Sequence, residues 1–220
     1  MSQADDSARS RRERPAKPAL TRQGIIDAAL AILRDEGLHK VTMRRVAAVL
    51  DTGHASLYVY VRNTEDLHAQ ILDALLGELT PPGAGTWRDR VKELLTSYQR
   101  LLFRYPEIAR MALSTQPTGP NYLALVEAVL ALLDEGGATV RAAAWGVDLL
   151  LLYPTAVAVE HTTPQRSDPS PEAVTTLIDT VDPVRFPHLA RVGAELMSGD
   201  GPARSDWAID VLLDGILARS

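Results

Sequence analysis

Residues 41–61, VTMRRVAAVLDTGHASLYVYV, constrain what this chain can fold into more than any other stretch. Thr42 is a good N-cap, and Val46, Ala47 and Leu50 follow at helical spacing, so a first helix over 43–50 can bury one face. Asp51-Thr52-Gly53 breaks it. A second helix from His54 sets Leu57 and Val61 four residues apart on its buried side and leaves His54, Ser56, Tyr58 and Tyr60 to point elsewhere. Two short helices joined by a tight turn, the second carrying hydroxyls and aromatics, is the layout of a helix-turn-helix whose second helix enters the major groove of DNA.

With 220 residues and 46% hydrophobic side chains, the chain is long enough for one large or two small packed domains. It has no cysteine, which excludes disulfides, thiolate metal sites and cysteine nucleophiles. The N-terminus is charged rather than apolar, and no run of eighteen uninterrupted apolar residues follows, so neither a signal peptide nor a membrane span is expected and the location is read as cytoplasmic. The net charge of −5 argues against DNA binding until it is divided along the chain. Arg9, Arg11, Arg12, Arg14, Lys17, Arg22, Lys40, Arg44, Arg45 and Arg62 make the first segment basic, while the region after Gly119 is dominated by acids. That division suits a protein that touches phosphates with one end only.

Residues 1–19 are polar and read as a disordered basic arm, either a solvated tail or a minor-groove contact. Thr21 caps a helix that stops at Glu36, with Gly37 at the left-handed position. Asn63 or Thr64 caps the next helix, whose apolar stripe is Leu67, Ile71, Leu72, Leu75 and Leu76. The stretch 80–85, TPPGAG, is a breaker and marks a domain boundary. Beyond it, helices are predicted over 87–104, 106–113, 121–135, 138–162, 172–179, 183–196 and 206–219, with Pro154 inside the long apolar run. No strand-like alternation occurs, so the fold class is all-α.

The ordered set Thr21, Ala28-Ala29, Gly37, Thr42, Arg44, Val46-Ala47, Leu50, Ser56-Leu57-Tyr58 and Asn63 resembles the TetR family of transcriptional regulators. Trp87, Tyr98, Arg104-Tyr105, Thr115 with Pro117, Gly137, Glu160 and the run 208–216 make the rest similar to the tetracycline-repressor class. The resemblance implies a helix-turn-helix domain over 20–65, a connecting helix over 66–80 whose shift reports ligand occupancy, and an effector-binding and dimerisation domain over 85–220. It implies a homodimer through the helices over 138–162 (Ala138 to its end at Thr162) and 206–219 (Asp206 to its end at Arg219), a palindromic double-stranded operator as partner, and a repressor released by a small molecule. Arg44, Arg45, His54, Ala55, Ser56, Tyr58, Tyr60 and Arg62 are the DNA-binding set that it carries over. Among them Arg44 suits a guanine fork, Ser56 and Tyr58 suit phosphate oxygens, and Tyr60 is either a contact or a packed aromatic.

The chain departs from the family at Asp51, where glycine is usual, at Thr52, and at Thr64, where lysine is usual; Arg62 either replaces that lysine's phosphate contact or the contact is lost. Ala112 and Thr80 stand where the tetracycline class has metal-binding histidines, so Glu160 alone cannot hold the metal and no metal or cofactor is expected. Leu94, Tyr98, Met111, Gln116, Trp145 and Tyr153 are the expected lining of a largely apolar effector pocket. There is no HExxH, GxSxG, Walker loop or GxGxxG in strand–helix context, so no enzyme is expected. The other reading is a helical ligand-binding or adaptor protein of the same fold without specific DNA binding.

Overall fold

The structure is a computed structural model that describes residues 19–114, 117–162 and 170–219. All regular structure among those residues is helical. The chain forms two compact units that divide between Ile71 and Leu72. The division falls inside a helix and not at the 80–85 loop, because the apolar stripe predicted for that helix runs unbroken through the dividing point, with Leu67, Ile71, Leu72, Leu75 and Leu76 all buried. The arm expected over 1–19 lies, but for Ala19, outside the described residues.

The first unit holds α1 (Arg22–Glu36), α2 (Met43–Val49), α3 (His54–Leu57) and the opening of α4 (Thr64–Leu76). Local chemistry starts and stops each helix. Thr21 Oγ1 accepts from the Gly24 amide at 3.0 Å, and Gly37, at φ 88°, donates its amide to the Leu33 carbonyl. Thr42 Oγ1 accepts from the Arg45 amide, and Asn63 Oδ1 accepts from the Asp66 amide at 2.8 Å. Ile25, Ala29, Val41, Val46, Leu57, Val61, Leu67 and Ile71 close the core. Each large apolar side chain so buried contributes about 1.5–3 kcal/mol. Two bonds pin the start of α4 within this unit: Arg22 Nη1 donates to Gln70 Oε1 at 3.0 Å, and His68 Nε2 donates to the Val41 carbonyl at 2.9 Å.

The second unit holds the end of α4 and α5 (Trp87–Arg104), α6 (Pro106–Ser114), α7 (Pro120–Glu135), α8 (Val140–Thr162), α9 (Pro171–Asp179), α10 (Pro187–Val192) and α11 (Gly201–Leu217). A capping box formed by Thr86 and Asp89 opens α5. The long helix α8 packs against α5, α6, α7 and α11. By length and composition it is apolar enough to cross a membrane, yet it carries Asp148 within the run and holds the centre of a helical bundle. Arg88 and Lys92 on α5 fasten α11 through Asp206, Asp210 and Asp214 at 2.6–3.2 Å. The α4 segment of this unit is joined to α7 by a carboxylate. Asp73 Oδ1 accepts from the amides of Asn121 and Tyr122 at 3.0 and 2.9 Å, and Oδ2 accepts from Asn121 Nδ2 at 3.2 Å.

Two boundaries differ from the sequence reading. The last helix begins at Gly201 and not at Asp206, because Asp200 Oδ1 caps it through the Ala203 amide at 2.8 Å and Pro202 fits the first turn, where no amide is needed. The helix expected over 183–196 is broken. It runs as α10 and then a 3-10 turn over Gly193–Met197, with Gly193 at φ 38° where an α-helix cannot continue.

Candidate DNA interface and ligand cavity

The turn between α2 and α3 is closed by two backbone bonds. Thr52 N donates to the Ala47 carbonyl at 2.9 Å and Asp51 N to the Ala48 carbonyl at 3.2 Å, while Asp51 sits at φ 48°. That pair of bonds around a left-handed residue is a Schellman motif with aspartate in the position that glycine takes most cheaply. The turn therefore survives the departure at Asp51. After it, α3 is a single α-turn, shorter than expected, and the chain continues through Val61 N→Leu57 O at 3.0 Å. Leu57 and Val61 are buried as their spacing predicts.

Seven of the eight side chains expected at DNA are exposed together on α2, α3 and the segment after it: Arg44, Arg45, His54, Ala55, Ser56, Tyr58 and Arg62. The His54 and Tyr58 rings meet edge to face with centroids 6.5 Å apart. Arg45 is engaged: its Nη2 and Nε donate to the Glu36 carboxylate at 2.6–3.3 Å, which holds that carboxyl below its usual range. Arg62 Nη2 is 3.4 Å from Asp66, and its amide donates to the same carboxylate at 2.8 Å. Tyr60 departs from the exposed set. Its hydroxyl donates to the Leu20 carbonyl at 2.7 Å and the ring is half-buried, so the packed-aromatic reading is the one the structure holds. Val59, 79% exposed beside Tyr58, went unnoticed in the sequence. Its signal was an apolar residue off the Leu57/Val61 stripe, with no core to enter.

In the second unit a cavity of about 400 Å³ opens between α5, α6, α7 and α8. Tyr98, Ser114, Tyr122, Asp148, Leu152 and Thr155 are among its lining. Tyr98 Oη lies 2.8 Å from Thr155 Oγ1, which itself donates to the Leu151 carbonyl at 2.7 Å. A hydroxyl has one proton, so Tyr98 is the donor between them. Burial pushes the Tyr98 phenol up to about 12, so it stays neutral. Tyr122 is raised by burial and by the Asp148 charge.

The expected effector residues do not converge there. Of the described ones, Tyr98 alone lines this cavity. Leu94 lines a separate apolar hollow of about 100 Å³, and Tyr153 a groove of about 820 Å³ with Gln99, Phe103, Glu160 and His161. Trp145 is 71% exposed under the Arg141 guanidinium, Met111 is half-buried on α6 outside the lining, and Gln116 lies outside the described residues. The cause is that aromatic and Met side chains mark burial in general and not which of several faces they serve. Asp148, Leu151, Leu152 and Thr155 were missed, although their i, i+3, i+4, i+7 spacing on α8 places an acid and a hydroxyl on one stripe.

Residues 25–71 match the family described as bacterial regulatory proteins, tetR family, and residues 80–220 match the tetracyclin repressor-like C-terminal domain. The chain belongs to the TetR family. Its fold is shared with SCO7704, a Streptomyces protein described as a transcription regulator, at 48% identity and TM-score 0.75 over 91% of this chain and 96% of that one. ActR from Streptomyces coelicolor, solved in complex with actinorhodin, is similar at 33% identity and TM-score 0.79 over 92% and 98% of the two chains. A helix-turn-helix transcriptional regulator of Saccharopolyspora erythraea is 35% identical over 132 residues, 59% of this chain and 56% of its own. The matched stretch spans about half the length of the curated relatives of this kind. As a TetR-family chain it carries the N-terminal helix-turn-helix and a helical C-terminal domain, and these named relatives are transcriptional regulators.

Proposed function

We propose that this TetR-family chain is a repressor that binds a palindromic operator as a homodimer and is released when a small molecule occupies the α5–α8 cavity. The observation that carries the reading is the cluster Arg44, His54, Ala55, Ser56, Tyr58 and Arg62, exposed around a turn whose backbone bonds are intact. Ser56 and Tyr58 hydroxyls suit phosphate oxygens, and Arg44, exposed beside them, suits the N7/O6 edge of guanine. ActR bound to actinorhodin is a relative of the same fold that takes a small molecule, which supports an effector here.

Dimerisation is supported by large apolar side chains left exposed in one chain. On α8, Trp145 and Leu149 are exposed at i, i+4, and on the adjoining α11 Trp207 and Val211 are exposed at the same spacing. Two neighbouring stripes of that kind fit a two-fold helical interface. Regulation of this type takes place in the cytoplasm, where the operator is.

The test is fluorescence anisotropy with the DNA upstream of its own gene, titrated at several salt concentrations. Arg44→Ala and Tyr58→Ala each weaken binding about tenfold or more, and Arg44→Ala, which removes a cation, also flattens the salt dependence. Arg45→Ala has a smaller effect, because Glu36 already holds that guanidinium. Wild-type affinity in both Arg44→Ala and Tyr58→Ala would sink the site assignment.

A further inference from the structure

Among the described residues, three of the four hydroxyl protons around the α5–α8 cavity are already engaged. Thr155 donates to Leu151 O, Ser114 Oγ lies 3.2 Å from the carbonyls of Arg110 and Met111 in its own helix, and Tyr98 donates to Thr155. Tyr98 and Ser114 are left with lone pairs to offer a ligand, not protons. The charged side chain among the described lining residues is Asp148, an acceptor only, and no lysine, arginine or histidine stands among them. Tyr122, raised by burial and by Asp148, is the one lining hydroxyl whose bonds do not fix its role. The remaining wall is apolar: Ala112, Leu113, Pro117, Leu151 and Leu152.

We propose that the effector is an apolar molecule bearing an amine protonated at neutral pH, which Asp148 and the Tyr98 oxygen receive, and that the cavity discriminates against a matched carboxylate. This rests on the reading of the α5–α8 cavity as the effector site. An ammonium brings donors to an acceptor-rich wall and meets a carboxylate of opposite charge. A carboxylate ligand meets neither: it faces Asp148 as a like charge and finds lone pairs at Tyr98 and Ser114 where it needs protons, with Tyr122 alone left to donate. The apolar wall takes the ring in either case, so head-group charge alone separates the two.

The experiment uses three probes with one ring: 1-naphthylmethylamine, 1-naphthalenemethanol and 1-naphthaleneacetate, each titrated into the full chain by calorimetry and into the chain–operator complex by anisotropy. The amine binds about tenfold more tightly than the alcohol, and the acetate more weakly than both. Asp148→Asn removes the preference of amine over alcohol and leaves alcohol binding in place, which also reports that the variant is folded. If the alcohol binds and releases DNA but the amine gains nothing, or Asp148→Asn keeps the preference, the charge assignment is overturned and the cavity reading stands. If none of the three binds, the cavity reading falls and the charge assignment with it.

Discussion

Asp51 holds φ 48° in a turn whose two closing bonds, Thr52 N→Ala47 O and Asp51 N→Ala48 O, require a left-handed residue. An aspartate tolerates that conformation at a cost that glycine avoids. Asp51→Gly therefore stabilises the helix-turn-helix unit by about 0.5–1 kcal/mol, read as a higher urea midpoint at unchanged m-value. A variant less stable than the parent would mean that the Asp51 side chain contributes more than the backbone strain costs. At this scale much was legible in advance. Thr21 and Thr42 could be named as caps, and Asn63 as one of two candidates with Thr64, because the bond each makes spans three residues and depends on nothing distant. Tyr60 could not be assigned, because its partner is the carbonyl of Leu20, forty residues earlier.

Among the elements, the junction of α4 and α7 depends on a missing side chain. A Cβ built on Gly119 would lie 2.1 Å from the Asp73 carboxylate that caps Asn121 and Tyr122. Gly119→Ala must expel that carboxylate and leave α7 uncapped, so it costs about 2–3 kcal/mol in urea unfolding. Asp73→Asn keeps an acceptor and costs less, about 1 kcal/mol. Equal stability of Gly119→Ala and the parent would show that the cap holds nothing.

The α5–α11 contact is ionic and answers to pH. Lys92 and Arg88 hold the Asp210 carboxyl below its ordinary range. A lowered carboxyl stabilises the fold above its unfolded value of about 3.9, and that stability is lost as pH falls through the folded value. Lys92 is pushed down by burial but raised on balance by Asp206 and Asp210, so its share is present below about 10.4 and lost as pH rises through its raised value. The contact is thus complete at neutral pH and fails first in acid. Urea stability of the parent declines between about pH 5 and 3, and Asp210→Asn declines less steeply over the same window. Parallel pH profiles would exclude Asp210 as a contributor.

For the whole molecule, the proposed two-fold interface predicts a change of assembly without loss of fold. Leu149 and Val211 are 47% and 48% exposed, so an arginine at either has room in a lone chain but buries an unpaired charge in a dimer. Leu149→Arg with Val211→Arg sediments as a monomer, keeps its helical circular dichroism, and loses operator affinity because one helix-turn-helix reads only half a palindrome. A dimer that persists in the double variant would place the interface elsewhere.

The sequence by itself determined the helical class, the caps, and the helix-turn-helix with its buried Leu57 and Val61, since these follow from 3.6-residue periodicity and bonds within a few residues. Tertiary structure decided what α8 does. That helix is apolar nearly all round, so no periodicity tells its cavity stripe, Asp148 to Thr155, from its outward pair, Trp145 and Leu149. Periodicity names a face, and only packing names what lies opposite: Tyr98 against Thr155 across 57 positions, Asp73 against Asn121 across 48, and Lys92 against Asp210 across 118.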